Sequence, residues 1–236
     1  MRYLLAALPA VLCFAQEADL PAQLARLQRL PTDQVRSLQA RLAMDPAPAE
    51  RKAYQELHLA YVLARSTAQD DPKGSQELVE RTLKTFESSQ DPECRALVGA
   101  LLGLKINASP MSAIILAPKA MGIFNEARTK ALASPRVALL RAIHLLYTPA
   151  FVGGGVKVAL PLMEAAVTLA EREPAPSDAW APSWGRIESL SWLALAQAKD
   201  EQFAAAKQTA DRVLAMEPGN GFITRMVLPR LQGKGE

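Results

Sequence analysis

The repeating unit of this chain is clearest in residues 190–220, which read LSWLALAQAKDEQFAAAKQTADRVLAMEPGN. Apolar residues recur there every three or four positions in two runs, with a polar turn at 199–202 and Pro218 after the second run. This pattern predicts two short antiparallel helices that end at the proline. One such hairpin cannot bury its apolar faces alone, so we expect neighbouring hairpins of the same kind.

Proline residues mark the same unit along the rest of the chain. Helices are predicted to end at prolines spaced by 39 to 46 residues, and each interval holds two helical segments. These prolines are Pro46, Pro92, Pro135, Pro174 and Pro218. Self-similarity on this scale indicates a helical solenoid. We therefore predict an all-α fold, a right-handed superhelical stack of helical hairpins.

The hairpin at 190–220 resembles the tetratricopeptide repeat in residue type and spacing. The matching positions are Leu193, Ala194, Phe203, Ala206, Val213, Leu214 and Pro218. The phrases GLKINASPM (103–111), YTPAFVGGGVKVAL (147–160) and VLPRL (227–231) are similar to a group of exported bacterial tetratricopeptide proteins without an assigned activity. The resemblance implies the solenoid fold and export, and it implies no reaction.

The first residues have the pattern of a secretory signal. Arg2 supplies a positive charge, and the apolar run 3–14 is too short to span a bilayer as a helix. Small residues at Cys13 and Ala15 suit a cleavage site after Ala15. We expect a protein exported to the periplasm or cell envelope, with no transmembrane segment in the mature chain.

This interpretation divides the chain into a signal peptide, 1–15, and a single helical repeat domain, 16–236. One alternative is a buried N-terminal helix, which Pro9 disfavours. Another is lipid anchoring through Cys13, which the large Leu12 beside it disfavours.

The composition argues against several function classes. The formal net charge is only +3, and no Lys/Arg block is interleaved with aromatic residues, so nucleic-acid binding is not expected. Cleavage after Ala15 would leave Cys94 as a single cysteine, which cannot form an internal disulfide. Because no cysteines and histidines share metal-ligand spacing, we expect neither a metal nor a cofactor.

No catalytic grouping is recognisable, so a non-enzymatic protein is predicted. The glycines at 153–155 lack the Lys-Ser/Thr pair of a phosphate-binding loop and are typical of a turn. His58 and His144 stand on different predicted helices without a carboxylate or cysteine at matching spacing, which favours structural histidines. The serines at 109 and 183 lack the glycine pattern of a nucleophile elbow.

Polar residues inside the most apolar predicted helices are the best candidates for a site. They are Arg95, Lys105, Asn107, Arg141 and His144. Burying such groups without partners would cost several kcal/mol, so they must pair internally or face a wet groove. All five fall on the first helices of their hairpins, which line the concave surface in the tetratricopeptide family. We predict a partner-binding groove formed by these residues.

The leading hypothesis is therefore an interaction or scaffold module of the bacterial cell envelope, which binds a protein or peptide through its concave groove. The alternative is a small-ligand-binding protein or enzyme that uses a cleft near Lys105, Lys119 and Arg141. A deep pocket with convergent polar groups would favour the alternative, and an open shallow groove would favour the scaffold. A third reading, a membrane-anchored assembly factor, requires a lipidated Cys13.

Two tryptophans in the Pro-rich segment 174–184 allow two interpretations. Trp180 and Trp184 could form an aromatic ligand wall, or their indoles could be packed over the neighbouring helices. The packing interpretation is favoured.

Overall fold

The computed structural model describes residues 19–176 and 178–233, and within these ranges the secondary structure is entirely helical. The α-helices are α1 (Leu20–Leu24), α2 (Thr32–Met44), α3 (Ala49–Thr67), α4 (Pro72–Phe86), α5 (Pro92–Ala108), α6 (Ala113–Lys130), α7 (Pro135–Tyr147), α8 (Val156–Arg172), α9 (Arg186–Lys199), α10 (Phe203–Met216) and α11 (Leu228–Leu231). Single 3₁₀ turns lie at Leu27–Arg29, Pro110–Ser112 and Ala150–Val152, and a π-helix spans Ile223–Val227. The predicted signal peptide, 1–15, lies outside the described residues.

Four helical hairpins form the body of the molecule. Helices α3 and α4, α5 and α6, α7 and α8, and α9 and α10 pack as successive pairs. The first helices α3, α5, α7 and α9 also pack against one another in chain order. Each pair therefore contacts its neighbours in sequence, which is the contact pattern of a solenoid, and the all-α prediction is confirmed. None of the helices in the described ranges is long and apolar enough to cross a membrane.

The prolines that mark the repeats lie either just after the end of a helix or in the first turn of the next one. Pro92 and Pro135 open the next first helix instead of closing the previous one. Asp91 caps α5 by accepting from the Cys94 N–H at 2.8 Å, and Ser134 caps α7 in the same way. A proline fits this first turn because the N–H it lacks has no intrahelical partner there. The spacing of the prolines still marks the hairpins, because α5 and α7 each begin only a few residues after the previous helix ends.

Helix α6 contains a proline in its interior. A single helix runs through Pro118. The ring of Pro118 removes a hydrogen bond to the residue four positions earlier, Ile114. Since Ile114 is 78% exposed, water can solvate the carbonyl that is left, so the helix need not break there.

The Pro-rich segment before α9 is packed against α3. Trp184 is buried, its ring stacks on His58 with centroids 4.6 Å apart, and its Nε1 donates to the Tyr54 hydroxyl at 3.0 Å. Trp180 is half-buried, and its carbonyl accepts from Gln55. The interpretation of the tryptophans as packing residues is confirmed.

Arg136 joins three elements at the centre of the stack. Its guanidinium donates to Glu93 on α5 at 2.7 Å, to Glu173 after α8 at 2.9 Å and to the Trp184 carbonyl at 2.8 Å. Burial alone would lower the pKa of Arg136, but the hydrogen bonds to the two carboxylates raise it above its usual range. This buried ion group fixes the register between the second, third and fourth hairpins.

Candidate functional site

The first helices share one face, called here the inner face, on which equivalent positions of successive repeats stand side by side. On each first helix, the residues at positions i, i+4, i+7 and i+11 lie in a row along this face, and we call this row a stripe. The stripes begin at Tyr54, Glu93, Arg136 and Glu188 and end at Arg65, Leu104, Tyr147 and Lys199. The two ends of these stripes have different environments.

The beginning of the inner face is closed. The Pro-rich segment covers it, because Trp184 contacts both Tyr54 and Arg136. The turn at Leu27–Arg29 covers it further, since Arg29 lies 3.5 Å from the Glu188 carboxylate and also pairs with Glu217. This half of the inner face therefore offers no surface to a ligand.

The end of the inner face is only partly open, since Tyr147 is 49% exposed and Lys199 is exposed, whereas Arg65 and Phe222 are half-buried and Tyr61 and Trp192 are buried. We call it the aromatic groove, and its members are Tyr61, Arg65, Tyr147, Trp192, Lys199 and Phe222. Their contacts form a connected set. Arg65 lies over the Tyr61 ring at 5.4 Å, and Lys199 over the Tyr147 ring at 5.8 Å. Tyr147 meets Trp192 edge-on at 6.2 Å, and Trp192 contacts Phe222 at 4.9 Å.

The two ends of this set are close to each other. Burial raises the pKa of Tyr147, while the nearby charges of Arg230 and Arg65 act to lower it. Arg65 also lines a recess of about 20 Å³ together with Trp192 and Phe222, which is room for one water molecule. A larger concavity of about 570 Å³ lies between α1 and α2, but its lining contains no aromatic side chain.

The cations of the aromatic groove lack carboxylate partners. Within the described residues, no Asp or Glu lies within ion-pair distance of Arg65, Lys199 or Arg230. The Nη1 atom of Arg65 is buried and has no hydrogen-bond acceptor. A buried guanidinium nitrogen without an acceptor is costly, and the packing of Arg65 over the Tyr61 ring offsets part of that cost.

The five predicted site residues are distributed over other contacts. Arg95 donates to Glu126 on α6 at 3.1 Å, and Lys105 pairs with Glu80 on α4 at 3.0 Å. Asn107 is exposed near the end of α5. The structure therefore directs Arg95 and Lys105 toward second helices instead of the inner face.

The two predicted residues on α7 also lie toward a second helix. His144 lies 5.2 Å from the Phe124 ring of α6, and burial lowers its pKa. Burial, and then the like charge of Arg128 on α6, lower the pKa of Arg141. Lys119, part of the alternative cleft, is bonded to Glu87. His144 also faces α5, since its Nδ1 lies 3.4 Å from the place that a Cβ on Gly103 would take.

The aromatic groove was missed because its residues are ordinary in a single helix. Tyr61 and Tyr147 are two repeat lengths apart, and Arg65 and Lys199 each end a first helix. Aligning the repeats by their first helices would have placed Arg65, Tyr147 and Lys199 at the same last position of their stripes, with Tyr61 one helical turn earlier. That alignment was the signal available in the sequence.

Metal coordination has little support in the described part of the chain. No three His, Cys, Asp or Glu residues there are grouped so as to hold an ion. His58 is fully buried behind Trp184, and burial lowers its pKa to about 3. Its ring is therefore neutral and inaccessible from the groove.

Comparison with known proteins supports the fold. No protein-family model and no curated protein matches the chain, so the tetratricopeptide resemblance is not confirmed by a family match. Among solved structures, the HusA haemophore from Porphyromonas gingivalis is similar, with a TM-score of 0.57 and 23% sequence identity. The match covers 76% of this chain and 92% of that one. At this identity, the likeness shows a shared fold alone.

Proposed function

We propose that this protein is a non-enzymatic binding protein that holds a flat, largely aromatic anion in the aromatic groove. The observation that carries the proposal is the exposed Tyr147 ring, which packs on the buried Trp192 next to the half-buried Phe222 and is flanked by Lys199 and Arg65, for which the described residues supply no carboxylate. Aromatic rings offer stacking and edge contacts to a flat ligand, and the two cations offer charge-assisted hydrogen bonds to its acidic groups.

The state of the nucleophilic and basic side chains supports a non-enzymatic role. Burial raises the pKa of Cys94 to about 12, so its thiol is protonated and unreactive at neutral pH. His58 is buried and neutral, which makes it unavailable as a general base for a bound ligand. The aromatic groove contains the phenols of two tyrosines, one indole, one phenyl ring and the cationic groups of an arginine and a lysine.

A tetrapyrrole such as haem belongs to the proposed ligand class. It combines a flat apolar ring with two carboxylates, which matches the rings and cations of the groove. The similarity in fold to a haemophore adds support, since that protein is by its name a carrier of haem. Because the groove has no accessible histidine, we expect recognition of the ring and its carboxylates more than of the metal.

Titration of the purified protein with haemin and with metal-free protoporphyrin tests this proposal. Soret absorbance and quenching of tryptophan fluorescence report binding. We expect both porphyrins to bind, and we expect Tyr147→Ala to weaken both by about tenfold, the scale of one lost aromatic contact. Lys207→Ala is the matched control, because Lys207 is exposed on α10 and pairs with Asp211 away from the groove. Binding that Tyr147→Ala leaves unchanged, or no binding of either porphyrin, would refute the assignment.

A second candidate is a protein or peptide partner held on the same surface. It is favoured by the openness of the groove, where Tyr147 is 49% exposed and the adjoining recess is too small to enclose a ligand. A photo-crosslinking amino acid at position 147 would trap such a partner in cells. A single reproducible adduct, lost in Arg65→Gln, would support this candidate over the porphyrin.

The proposal places the protein in the bacterial cell envelope. Mass spectrometry of the mature N-terminus tests it, with a chain that begins at Gln16 as the expected result. An uncleaved N-terminus would contradict export with removal of the signal peptide. A lipid on Cys13 would indicate that the protein is anchored to the membrane.

A further inference from the structure

Exposed apolar side chains concentrate on two neighbouring hairpin turns. Met111 in the 3₁₀ turn after α5 and Ile114 and Ile115 in the first turn of α6 are 81%, 78% and 76% exposed, and Phe151 and Val152 between α7 and α8 are 90% and 60% exposed. We call these two groups the apolar tips. Single exposed apolar residues are common on proteins, but five bulky ones on adjacent turns form a patch of the kind that marks an interaction site.

The two apolar tips lie at the same end of the stack. Each joins the C-terminal end of a first helix to the second helix of its pair, and α5 and α7 pack side by side. The remaining two hairpin turns, 69–73 and 199–202, are polar and include acidic residues. Apolar character is therefore a property of the two central turns and not of hairpin turns in this stack generally.

The turn that carries Phe151 is held by its backbone. Gly153 has a φ of 89°, and the Gly155 N–H donates to the Leu145 carbonyl at 2.9 Å. A Cβ on Gly154 would lie 2.2 Å from the Thr148 carbonyl oxygen, so only glycine fits there. This ordered backbone holds the most exposed large apolar side chain of the described chain out into solvent.

Basic residues surround the apolar tips. The segments 94–125 and 137–163, which contain the tips, carry arginines and lysines but no Asp or Glu. Lys105, Lys119 and Lys157 stand within two helical turns of the tips. Each pairs with a carboxylate of a neighbouring element. The pairs of Lys105 and Lys119 are exposed and contribute little, so these ammonium groups can exchange partners, and the side chain of Lys157 is 83% exposed although that of its partner Asp200 is only 5% exposed.

We propose that the apolar tips insert into the interfacial region of a lipid bilayer. Side chains that are 60% to 90% exposed protrude into solvent, and a fluid lipid phase can surround such convex points. A folded partner would instead need a matching concavity for each tip. Lys105, Lys119 and Lys157 lie close to the tips, so their long cationic side chains can reach the phosphate groups of the lipids. The acidic turns on either side limit insertion to the two central hairpins.

Vesicle flotation of the full chain tests the proposal. We expect the protein to float with vesicles of phosphatidylethanolamine and phosphatidylglycerol, and to remain bound in high salt because burial of apolar side chains dominates. The combined variant Ile114→Ser, Ile115→Ser and Phe151→Ser should lower the partition coefficient by at least about tenfold. Met44→Ser is the matched control, because Met44 is 86% exposed on α2, far along the chain from both tips.

A second measurement distinguishes between insertion of the tips into a lipid bilayer and binding of the tips to a second copy of the chain. Phe151→Trp should show a blue-shifted emission with vesicles and should be quenched by brominated acyl chains. Wild-type protein that stays with the soluble fraction, or a triple variant that floats equally well, overturns the proposal. A shift from dimer to monomer in the triple variant, without vesicle binding by the wild type, would instead assign the tips to self-association. The porphyrin titration needs no vesicles, so either proposal can fail without the other.

Discussion

The two halves of the inner face are built from equivalent positions of the same repeats, yet one half is sealed and the other is partly open. At the sealed half, Arg136 is held by Glu93 and Glu173 beneath Trp184. At the open half, Arg65 and Lys199 lie over tyrosine rings and have no carboxylate among the described residues. The comparison separates a charge that is paired within the stack from a charge that has only an aromatic neighbour, and the proposed ligand site uses the second kind.

The largest expected effect comes from breaking the sealed half. Arg136→Met leaves Glu93 and Glu173 without their buried partner, and we expect a loss of about 3 to 5 kcal/mol in the free energy of unfolding. Urea denaturation followed by circular dichroism measures it. Arg212→Met is the matched control, since Arg212 pairs with Glu171 at 2.7 Å on the surface and should cost at most about 1 kcal/mol. Similar losses for the two variants would contradict the distinction between the halves.

The next effect is a pH dependence located in the sealed half. Burial, followed by the charges of Arg65 and Arg136, lowers the pKa of His58 to about 3. The unfolded chain therefore binds a proton on His58 below about pH 6.5 while the folded chain does not, so stability falls as pH falls through this range. Between pH 7 and 4.5 we expect His58 to account for about 2 to 3 kcal/mol of lost stability. His58→Gln should remove this contribution, and an unchanged difference between the two pH values in that variant would argue against it.

A smaller effect, on binding, is expected at the open half. Arg65→Gln removes a charge that has no carboxylate partner, so the free energy of unfolding should change by less than about 1 kcal/mol. Affinity for the porphyrin should fall by about tenfold, the scale of one charge-assisted hydrogen bond. Arg26→Gln, an exposed site outside the groove, serves as reference. A large loss of stability in Arg65→Gln would make Arg65 a structural residue like Arg136.

The smallest effect is expected for Tyr147→Phe. This change keeps the ring that contacts Trp192 and Lys199 and removes only the hydroxyl. If stacking is the main contribution of Tyr147, porphyrin affinity should change by less than about threefold in the same titration. A loss as large as that of Tyr147→Ala would show that the hydroxyl, rather than the ring, contacts the ligand.

The arrangement of the hairpins was predictable from local patterns. Helical periodicity, capping residues and the spacing of prolines identify each hairpin within a few residues of its observed bounds. The exceptions have local causes: Pro92 and Pro135 open helices because Asp91 and Ser134 cap them, and Pro118 is tolerated inside α6 beside an exposed residue.

The position of the predicted site residues was harder to assign because a polar residue in an apolar helix can either pair with a neighbouring helix or face a groove. Arg95 and Lys105 were assigned to a wet groove, and the structure pairs them with Glu126 and Glu80 on second helices. A first helix has one side that faces the second helices and another that faces inward. Hydrophobic periodicity within that helix does not tell which side is which. Only a comparison across repeats distinguishes them.

The sequence by itself determined the helical hairpins, their number and their order, because periodicity, caps and prolines act within a few residues of chain. Tertiary structure alone decided which half of the inner face is closed. That outcome depends on contacts between residues more than 120 positions apart, such as Trp184 with Tyr54 and Arg29 with Glu188. These contacts place the segment before α9 against α3, and the N-terminal turn against α9, at the beginning of the inner face.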